Sequence, residues 1–360
     1  MKICYITDTH LGAKGGSKIF RDYFRTYYKS VLFPAMKDAN VDLIIHGGDF
    51  FDSRNAISTA DIDYVMSEFI PLVKQYNIPM YVIVGNHDTH FKNTNDINSL
   101  VMMKGCDLIT VVDQRLEVIN IPNDQKKIVL CPWINVQNKD DLIDDLKFHA
   151  DKNAILVGHF EINNFKMYKN SILSSGGLDQ EIFKGYRQVL SGHFHHSSKA
   201  GNIEYLGALF TLNWDDHGDW RGYTLYDSQT DDYTKVENEF SLFTSIDYET
   251  CKDMSANDLI PICKDQIVRL VVDCEYDKIE LKDFVVKINK CNPIQLDIND
   301  KTVINNLDDD TEVDDTIVGE TKTFIDYALE EIKDNPKKDL VITKFDELYQ
   351  LALSSRKDVV

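Results

Sequence analysis

Long hydrophobic runs are missing from this chain of 360 residues. No apolar stretch approaches the roughly 18 residues that a bilayer span requires, so no membrane role is expected. The start offers no targeting signal: Met1 runs straight into a strand-like Lys2-Ile3-Cys4-Tyr5-Ile6, with neither a basic region nor a cleavage site. No Cys-x-x-Cys occurs, and the seven cysteines stand singly at positions 4, 106, 131, 251, 263, 274 and 291. An odd, scattered set argues against a disulfide framework and fits a reducing cytoplasm. With 17 Gly and 8 Pro, collagen-like and low-complexity classes are excluded. Positive charge is also scarce. Lys and Arg number 39 against 59 Asp and Glu, for a net charge of −20, which opposes non-specific binding to nucleic acid or to an anionic membrane.

What is present is ordinary in bulk and uneven in layout. Hydrophobic residues make up 43% and charged residues 27%, as in a soluble globular chain of two or three domains. Residues 241–360 hold 27 acidic and 15 basic residues (27 − 15 gives net −12), leaving 32 and 24 for residues 1–240, net −8. A polyanion site in the first two-thirds would therefore need local positive charge, and bound cations can supply it.

Residues 1–240 alternate short apolar runs with helical patterns. Strands are expected at Lys2–Thr7, Val41–His46, Met80–Val84, Lys127–Cys131, Ala154–Gly158 and Gln188–Ser191, dense in Ile, Val and Leu as strands buried on both faces should be. Ser58 as N-cap, Asp61 three residues on, and Ile62, Val65, Phe69, Leu72 and Val73 at helical spacing predict a helix that Pro79 stops. Such alternation reads as α/β layering. A hairpin follows at Gly222–Asp227 and Tyr233–Val236. Beyond residue 240, residues 266–275 and 283–289 read as strand and mixed segments of a small second domain. The run Asp308-Asp309-Asp310-Thr311-Glu312-Val313-Asp314-Asp315 reads as a solvated linker. Helical patterns at Thr321–Lys333 and Leu340–Ser354 then flank Asp334-Asn335-Pro336. Their stripes, Phe324, Tyr327, Ala328 and Ile332 with Phe345, Leu348 and Leu351, are too small to be stable alone and so should dock on something.

Five strand ends carry metal-ligand residue types: Asp8-Thr9-His10, Gly47-Gly48-Asp49-Phe50-Phe51-Asp52, Gly85-Asn86-His87-Asp88, Gly158-His159 and Gly192-His193-Phe194-His195. Ligands in open α/β sheets bind beyond the carboxyl ends of the strands, so these loops should converge. Asp-x-His and His-x-His each let alternate residues of an extended segment reach one ion. Carboxylate, imidazole and amide-oxygen donors together suit Mn²⁺, Fe²⁺ or Zn²⁺ better than Ca²⁺ or a thiolate zinc site. Seven such donors exceed one ion's needs and suffice for two ions sharing a carboxylate, the clamp used on phosphoryl groups.

This ordered set resembles the calcineurin-like metallophosphoesterases, and within them the SbcD-like nuclease subunits of double-strand-break repair and the recombination endonuclease subunit of T-even-type phages. The narrower likeness rests on Gly47 to Asp52, Ile83 to Asp88, Tyr205-Leu206-Gly207, Arg221-Gly222-Tyr223 and the stretches Gly158 to Asn163 and Leu190 to His195. It covers residues 1–240 well and extends beyond them only as a similar layout. After Asp49-Phe50-Phe51 some relatives carry His where this chain has Asp52, as the SbcD-like and phage members do.

The resemblance implies an α/β fold: a two-sheet sandwich flanked by helices (1–240, nuclease), a small α+β capping domain that binds DNA (241–300), an acidic linker (301–318) and a C-terminal helical hairpin (319–360). It implies that Asp8, His10 and His195 hold one ion, that Asn86, His159 and His193 hold the other, and that Asp49 bridges. His87 becomes a catalytic group, either the general acid for the leaving 3′ oxygen or a stabiliser of transition-state charge. Asp88, also expected in the catalytic set, either orients His87 or completes the turn. Arg54 either touches substrate phosphate or pairs with Asp52. His196 should face away, because strand neighbours alternate, and His46 and His149 should be satisfied or exposed. The implied cofactors are two divalent ions, Mn²⁺ ahead of Mg²⁺. The implied partners are DNA and an SbcC-like coiled-coil ATPase gripped by the hairpin, in a heterotetramer containing a homodimer. A small-substrate phosphodiesterase is the alternative, favoured by the acidic surface. A catalytically dead scaffold on the same fold is disfavoured because the whole ligand set is intact.

Overall fold

The computed structural model describes residues 1–304. The chain divides after Ser241 into two compact units. The first holds twelve strands: β1 Lys2–Ile6, β2 Leu43–His46, β3 Met80–Ile83, β4 Ile109–Val112, β5 Glu117–Asn120, β6 Lys127–Cys131, β7 Ala154–His159, β8 Gln188–Gly192, β9 Ser198–Ala200, β10 Ile203–Tyr205, β11 Gly222–Asp227 and β12 Asp232–Glu237. They form two six-stranded sheets, ordered β12-β11-β1-β2-β3-β4 and β5-β6-β7-β8-β10-β9. β1 to β4 run parallel, as do β6, β7, β8 and β10, while β5, β9, β11 and β12 add antiparallel edges.

Strand periodicity explains the layering. Ile3, Tyr5, Leu43 and Ile45 of one sheet share a buried cluster with Ile128, Leu130, Ile155, Val157 and Leu190 of the other. The alternate residues Val129, Cys131, Leu156 and Val189 point the opposite way, onto Leu142 and Leu146 of the helix Lys139–His149. Strands covered on both faces must be apolar at every position, which is why they were legible as unbroken runs.

Two long helical stretches contain one wide turn each, at Tyr28–Leu32 and Val65–Phe69. Both wide turns end just before a proline, Pro34 and Pro71. A proline has no N–H for the carbonyl four residues back and its ring collides with it, and a wide turn relieves both. Ser58 caps the second stretch as expected, accepting from the Asp61 amide at 3.1 Å. The wide turn rotates the stripe, so Val65, Phe69 and Val73 are buried while Ile62 is exposed. This helix ends at Tyr76 on the left-handed Asn77 (φ 53°), two residues ahead of Pro79.

The second unit contains β13 Phe243–Asp247, β14 Ile267–Val272 and β15 Gln295–Asp300, paired in parallel throughout. Helices Ala256–Cys263 and Lys278–Asn289 connect them. This is an α/β arrangement, not the expected α+β one, because every crossover is helical. Residues 283–289, expected as strand or mixed, belong to the second helix. Asp277 caps it through the Ile279 and Glu280 amides, and Leu281, Phe284 and Ile288 bury one face. The first residues of the expected linker, Lys301–Ile304, form one helical turn. The acidic run 308–315 and the hairpin 319–360 lie outside the described residues. All seven cysteines are free thiols. No helix among the described residues is long and apolar enough to cross a membrane.

Candidate metal centre

The five motifs converge. His10 Nε2 lies 3.1 Å from His195 Nε2 and 4.0 Å from Asp8 Oδ1. Asn86 Oδ1 lies 3.0 Å from His159 Nε2 and 2.8 Å from His193 Nδ1. Asp49 Oδ2 stands between these groups, 3.9 Å from His10 Nε2 and 3.2 Å from His159 Nε2. The donor atoms cluster as Asp8/His10/His195, as Asp49/His159/His193 and as His10/Asp49/His87. A cleft of about 220 Å³, lined among others by His10, Lys14, Asp49, Asp52, His87, His193 and His195, opens onto them. A larger cleft of about 510 Å³ around Asn95, Arg115 and Asp144 shares none of these residues and contains no such donor cluster among the described residues.

Local backbone shape makes the convergence possible. Four of the seven expected ligands have left-handed φ: Asp8 at 50°, His10 at 47°, Asp49 at 53° and His193 at 84°. Each such non-glycine residue costs on the order of 1–3 kcal/mol, a strain that persists where the surroundings fix it and function uses it. The neighbouring glycines are required by crowding. A Cβ on Gly48 would sit 2.4 Å from His159 Nδ1, and one on Gly192 would sit 2.1 Å from Thr7 Oγ1 and 2.9 Å from Asp8 Oδ2.

Hydrogen bonds set the histidine tautomers. His159 Nδ1–H donates to the Gly47 carbonyl at 3.0 Å, leaving Nε2 facing Asp49 and Asn86. His195 Nδ1–H donates to Asp216 Oδ1 at 3.2 Å, leaving Nε2 facing His10. Asp216 is fully buried, and Arg221 Nη2 donates to it at 2.6 Å. Burial opposes ionisation of Asp216, but His195 and Arg221 outweigh it and hold the carboxyl well below its ordinary range.

Negative charge dominates the centre. Burial should lower His10 and His159, yet both are pulled up to about 9, His10 chiefly by Asp52 and Asp49, His159 chiefly by Asp49. Burial and the neighbouring His159 push His193 down to about 3. Burial also works against ionised Asp49, but His159 and His10 prevail and hold it far below the carboxylate range. Buried carboxylates that draw protons onto imidazoles form a donor set suited to divalent cations, which would displace those protons.

The remaining expected residues are distributed as follows. His87 is half-buried; its amide donates to Asp49 Oδ1 at 2.7 Å and its Nδ1–H to the Asp52 carbonyl at 2.6 Å. Asp88 does not touch the His87 ring. Its carboxylate is buried and accepts from the amides of Gly85 (2.9 Å), Phe51 (2.9 Å) and Phe50 (3.3 Å), stitching the loop after β3 to the loop after β2. Of the two roles expected for Asp88, these contacts are the ones that complete the turn. Burial, with Asp49 nearby, raises it to about 7. Arg54 makes no ion pair with Asp52; its Nη1 is buried without a hydrogen-bond partner, and Asp52 instead lies 3.3 Å from His10 Nδ1. His46 is buried and satisfied by Thr9 Oγ1 at 2.9 Å. His196 faces away onto Asp219 at 2.9 Å, from a loop and not a strand. Asp216 had no signal in the sequence, because it follows no strand. Trp133, two residues past β6, and Tyr168 were missed as well, because neither is a metal-ligand type; their rings lie 5.3 Å from His193 and 5.4 Å from His195 between centroids.

Comparison with known proteins fits this geometry. The chain is similar to "Exonuclease subunit 1" of Enterobacteria phage T4, 29% identical over 317 residues that cover 88% of this chain and 87% of that one. It is similar to a subunit of the SbcCD nuclease of Staphylococcus saprophyticus, at 24% identity over 62% of this chain and 65% of the relative. It is also similar to "DNA double-strand break repair protein Mre11" of Sulfolobus acidocaldarius, at 25% identity over 78% and 68%. Residues 1–197 match the calcineurin-like phosphoesterase family, and that segment holds every expected ligand. The chain belongs to the calcineurin-like phosphoesterases.

Proposed function

We propose that this protein is a dinuclear-metal DNA nuclease, acting endonucleolytically on single strands and exonucleolytically on duplex ends, in company with an SbcC-like coiled-coil ATPase. The observation that carries it is Asp49, a buried carboxylate set between the Asp8/His10/His195 and Asn86/His159/His193 groups. Two divalent cations there, Mn²⁺ in preference to Mg²⁺, would supply Lewis acidity and an acidified water. Asp8, His10 and His195 would hold one and Asn86, His159 and His193 the other, with Asp49 available to both. His87, its Nδ1 fixed on Asp52, keeps Nε2 free to carry the proton given to the leaving 3′ oxygen. Arg54, with a buried and unpartnered Nη1, contacts the substrate phosphate. Similarity to nuclease subunits from a phage and a bacterium supports a nuclease subunit that works with a partner; DNA as substrate and a homodimer inside a heterotetramer complete the reading. The ATPase contact falls to residues 319–360, the second unit to capping and DNA binding.

The test is to assay linear duplex, circular single-stranded DNA and bis(p-nitrophenyl) phosphate with Mn²⁺ and with Mg²⁺. The nuclease reading expects both DNAs to be cut, faster with Mn²⁺. Hydrolysis of the small ester alone would return the small-substrate alternative.

A further inference from the structure

Between β7 and β8 the chain makes a hairpin-like excursion, residues 162–178, that no ligand assignment uses. Its base is tied down. The Leu178 amide donates to the Glu161 carbonyl at 2.7 Å, Ser174 to Phe165 at 2.8 Å and Asn164 to Ser174 at 2.9 Å. Phe165 is buried edge-on to Tyr205 at 4.9 Å between centroids. The tip instead faces water: Ile172 is 90% and Leu173 54% exposed.

Three observations connect this hairpin to chemistry at the metal centre. It is continuous with the centre, since the His196 amide donates to the Met167 carbonyl at 3.0 Å, and Met167 and Tyr168 line the same cleft as His10, His87 and His195. Tyr168 lies edge-on to His195, half-buried, and its hydroxyl makes no hydrogen bond among the described residues, so no polar contact ties the ring down and the ring itself is what it brings to the cleft. The segment from Ile162 to Leu178 contains Lys166 and Lys169 and not one carboxylate, in a chain of net charge −20. Neither lysine has an ion-pair partner among the described residues; their ammonium groups reach only the carbonyls of Lys169 and Gly218.

We propose that this hairpin is the lane along which a single DNA strand leaves the metal centre, an inference that rests on the nuclease reading above. Tyr168 stacks on the base beside the scissile phosphate, Ile172 and Leu173 carry the next bases, and Lys166 and Lys169 neutralise phosphates. A strand crossing an acidic protein needs local positive charge, and here two lysines stand between the flanking Glu161 and Asp179. Exposed aromatic and aliphatic surfaces offer support to any base with a free face, and only unpaired bases have one to give. The occupant is therefore single-stranded and read without regard to sequence.

The test uses the full chain and measures kcat/KM for a fluorescent oligothymidylate and for bis(p-nitrophenyl) phosphate with Mn²⁺, plus oligonucleotide anisotropy in EDTA. Tyr168→Ala should lower the DNA-to-ester ratio of kcat/KM roughly tenfold, and Tyr168→Phe should restore it, because stacking needs the ring and not the hydroxyl. The tip variant Ile172→Gln/Leu173→Gln, at exposed positions that the fold does not need, should weaken metal-free binding several-fold. Lys166→Gln/Lys169→Gln should flatten the salt dependence of that binding by about one to two in log–log slope. A ratio unmoved by Tyr168→Ala, or both substrates falling in parallel, would overturn the lane. Wild-type protein that hydrolyses the ester and leaves the oligonucleotide intact overturns the nuclease reading, and the lane with it.

Discussion

His87 and Asp49 touch through one hydrogen bond, amide to carboxylate at 2.7 Å, yet their side chains should fail in opposite ways. Replacing the ring in His87→Ala leaves that amide in place. Cleavage should drop by two to four orders of magnitude, the usual weight of a proton-transfer group, while calorimetry still counts two Mn²⁺ per chain. Asp49→Ala should lose both equivalents, because on the proposed assignment one carboxylate would serve each ion. Loss of a metal equivalent in His87→Ala would make His87 a ligand. Asp216→Asn separates orientation from ligation. The amide cannot hold His195 Nδ1–H as a carboxylate does, so Mn²⁺ affinity at that ion should fall roughly 10–100-fold in a competition titration. Arg221, buried, would also lose one of its two carboxylate partners and keep only Asp219, 3.3 Å from Nη1, so the unfolding midpoint should drop as well. Asp216→Glu should restore more affinity than stability. The residues at this scale that could be read from sequence are those in short motifs at strand ends. Asp216 could not be, since its partner His195 lies 21 positions away and its own neighbours follow no period.

Elements were legible to the extent that one face, or both, is buried against a regular partner. β2 and β7 are buried at every residue, and their sequences say so. The helix Lys278–Asn289 was not read because charges break its stripe, and only Leu281, Phe284 and Ile288 are buried. The wide turns before Pro34 and Pro71 were hidden too; their cause is local, but periodicity averages over it. The glycine at the end of β8 gives this scale its experiment. In Gly192→Ala the new methyl meets Thr7 Oγ1 at 2.1 Å and the Gly47 carbonyl at 2.7 Å, both in the packed gap between the two sheets' metal loops. Overpacking of this kind costs about 1–3 kcal/mol, so the unfolding midpoint should fall and Mn²⁺ binding should weaken with it. Gly105→Ala, with nothing within 4 Å, is the control and should stay within about 0.5 kcal/mol of wild type. Equal behaviour of the two variants would mean that the loops yield to the methyl.

At the scale of the whole molecule the charge remains the central fact. Net −20 is a poor starting point for a protein that must hold a polyanion, and the cations of the metal centre neutralise it only locally. The hairpin lysines add two charges, too few to steer a duplex. On the proposed function a partner would bring the basic track, which accords with the naming of the phage and bacterial relatives as subunits. Residues 319–360 are where such a partner would be gripped, since Phe324, Tyr327, Ile332, Phe345, Leu348 and Leu351 offer helically spaced anchors. The acidic run at 308–315, which no anion will approach, would keep that grip off the DNA path. Deleting residues 319–360 should then spare metal-dependent cleavage of short single strands, which the proposed function gives to the first unit, and abolish co-purification with the proposed coiled-coil ATPase. Full recovery of the ATPase by the truncated chain would move the dock elsewhere. Loss of short-strand cleavage would instead tie the tail to the catalytic unit itself.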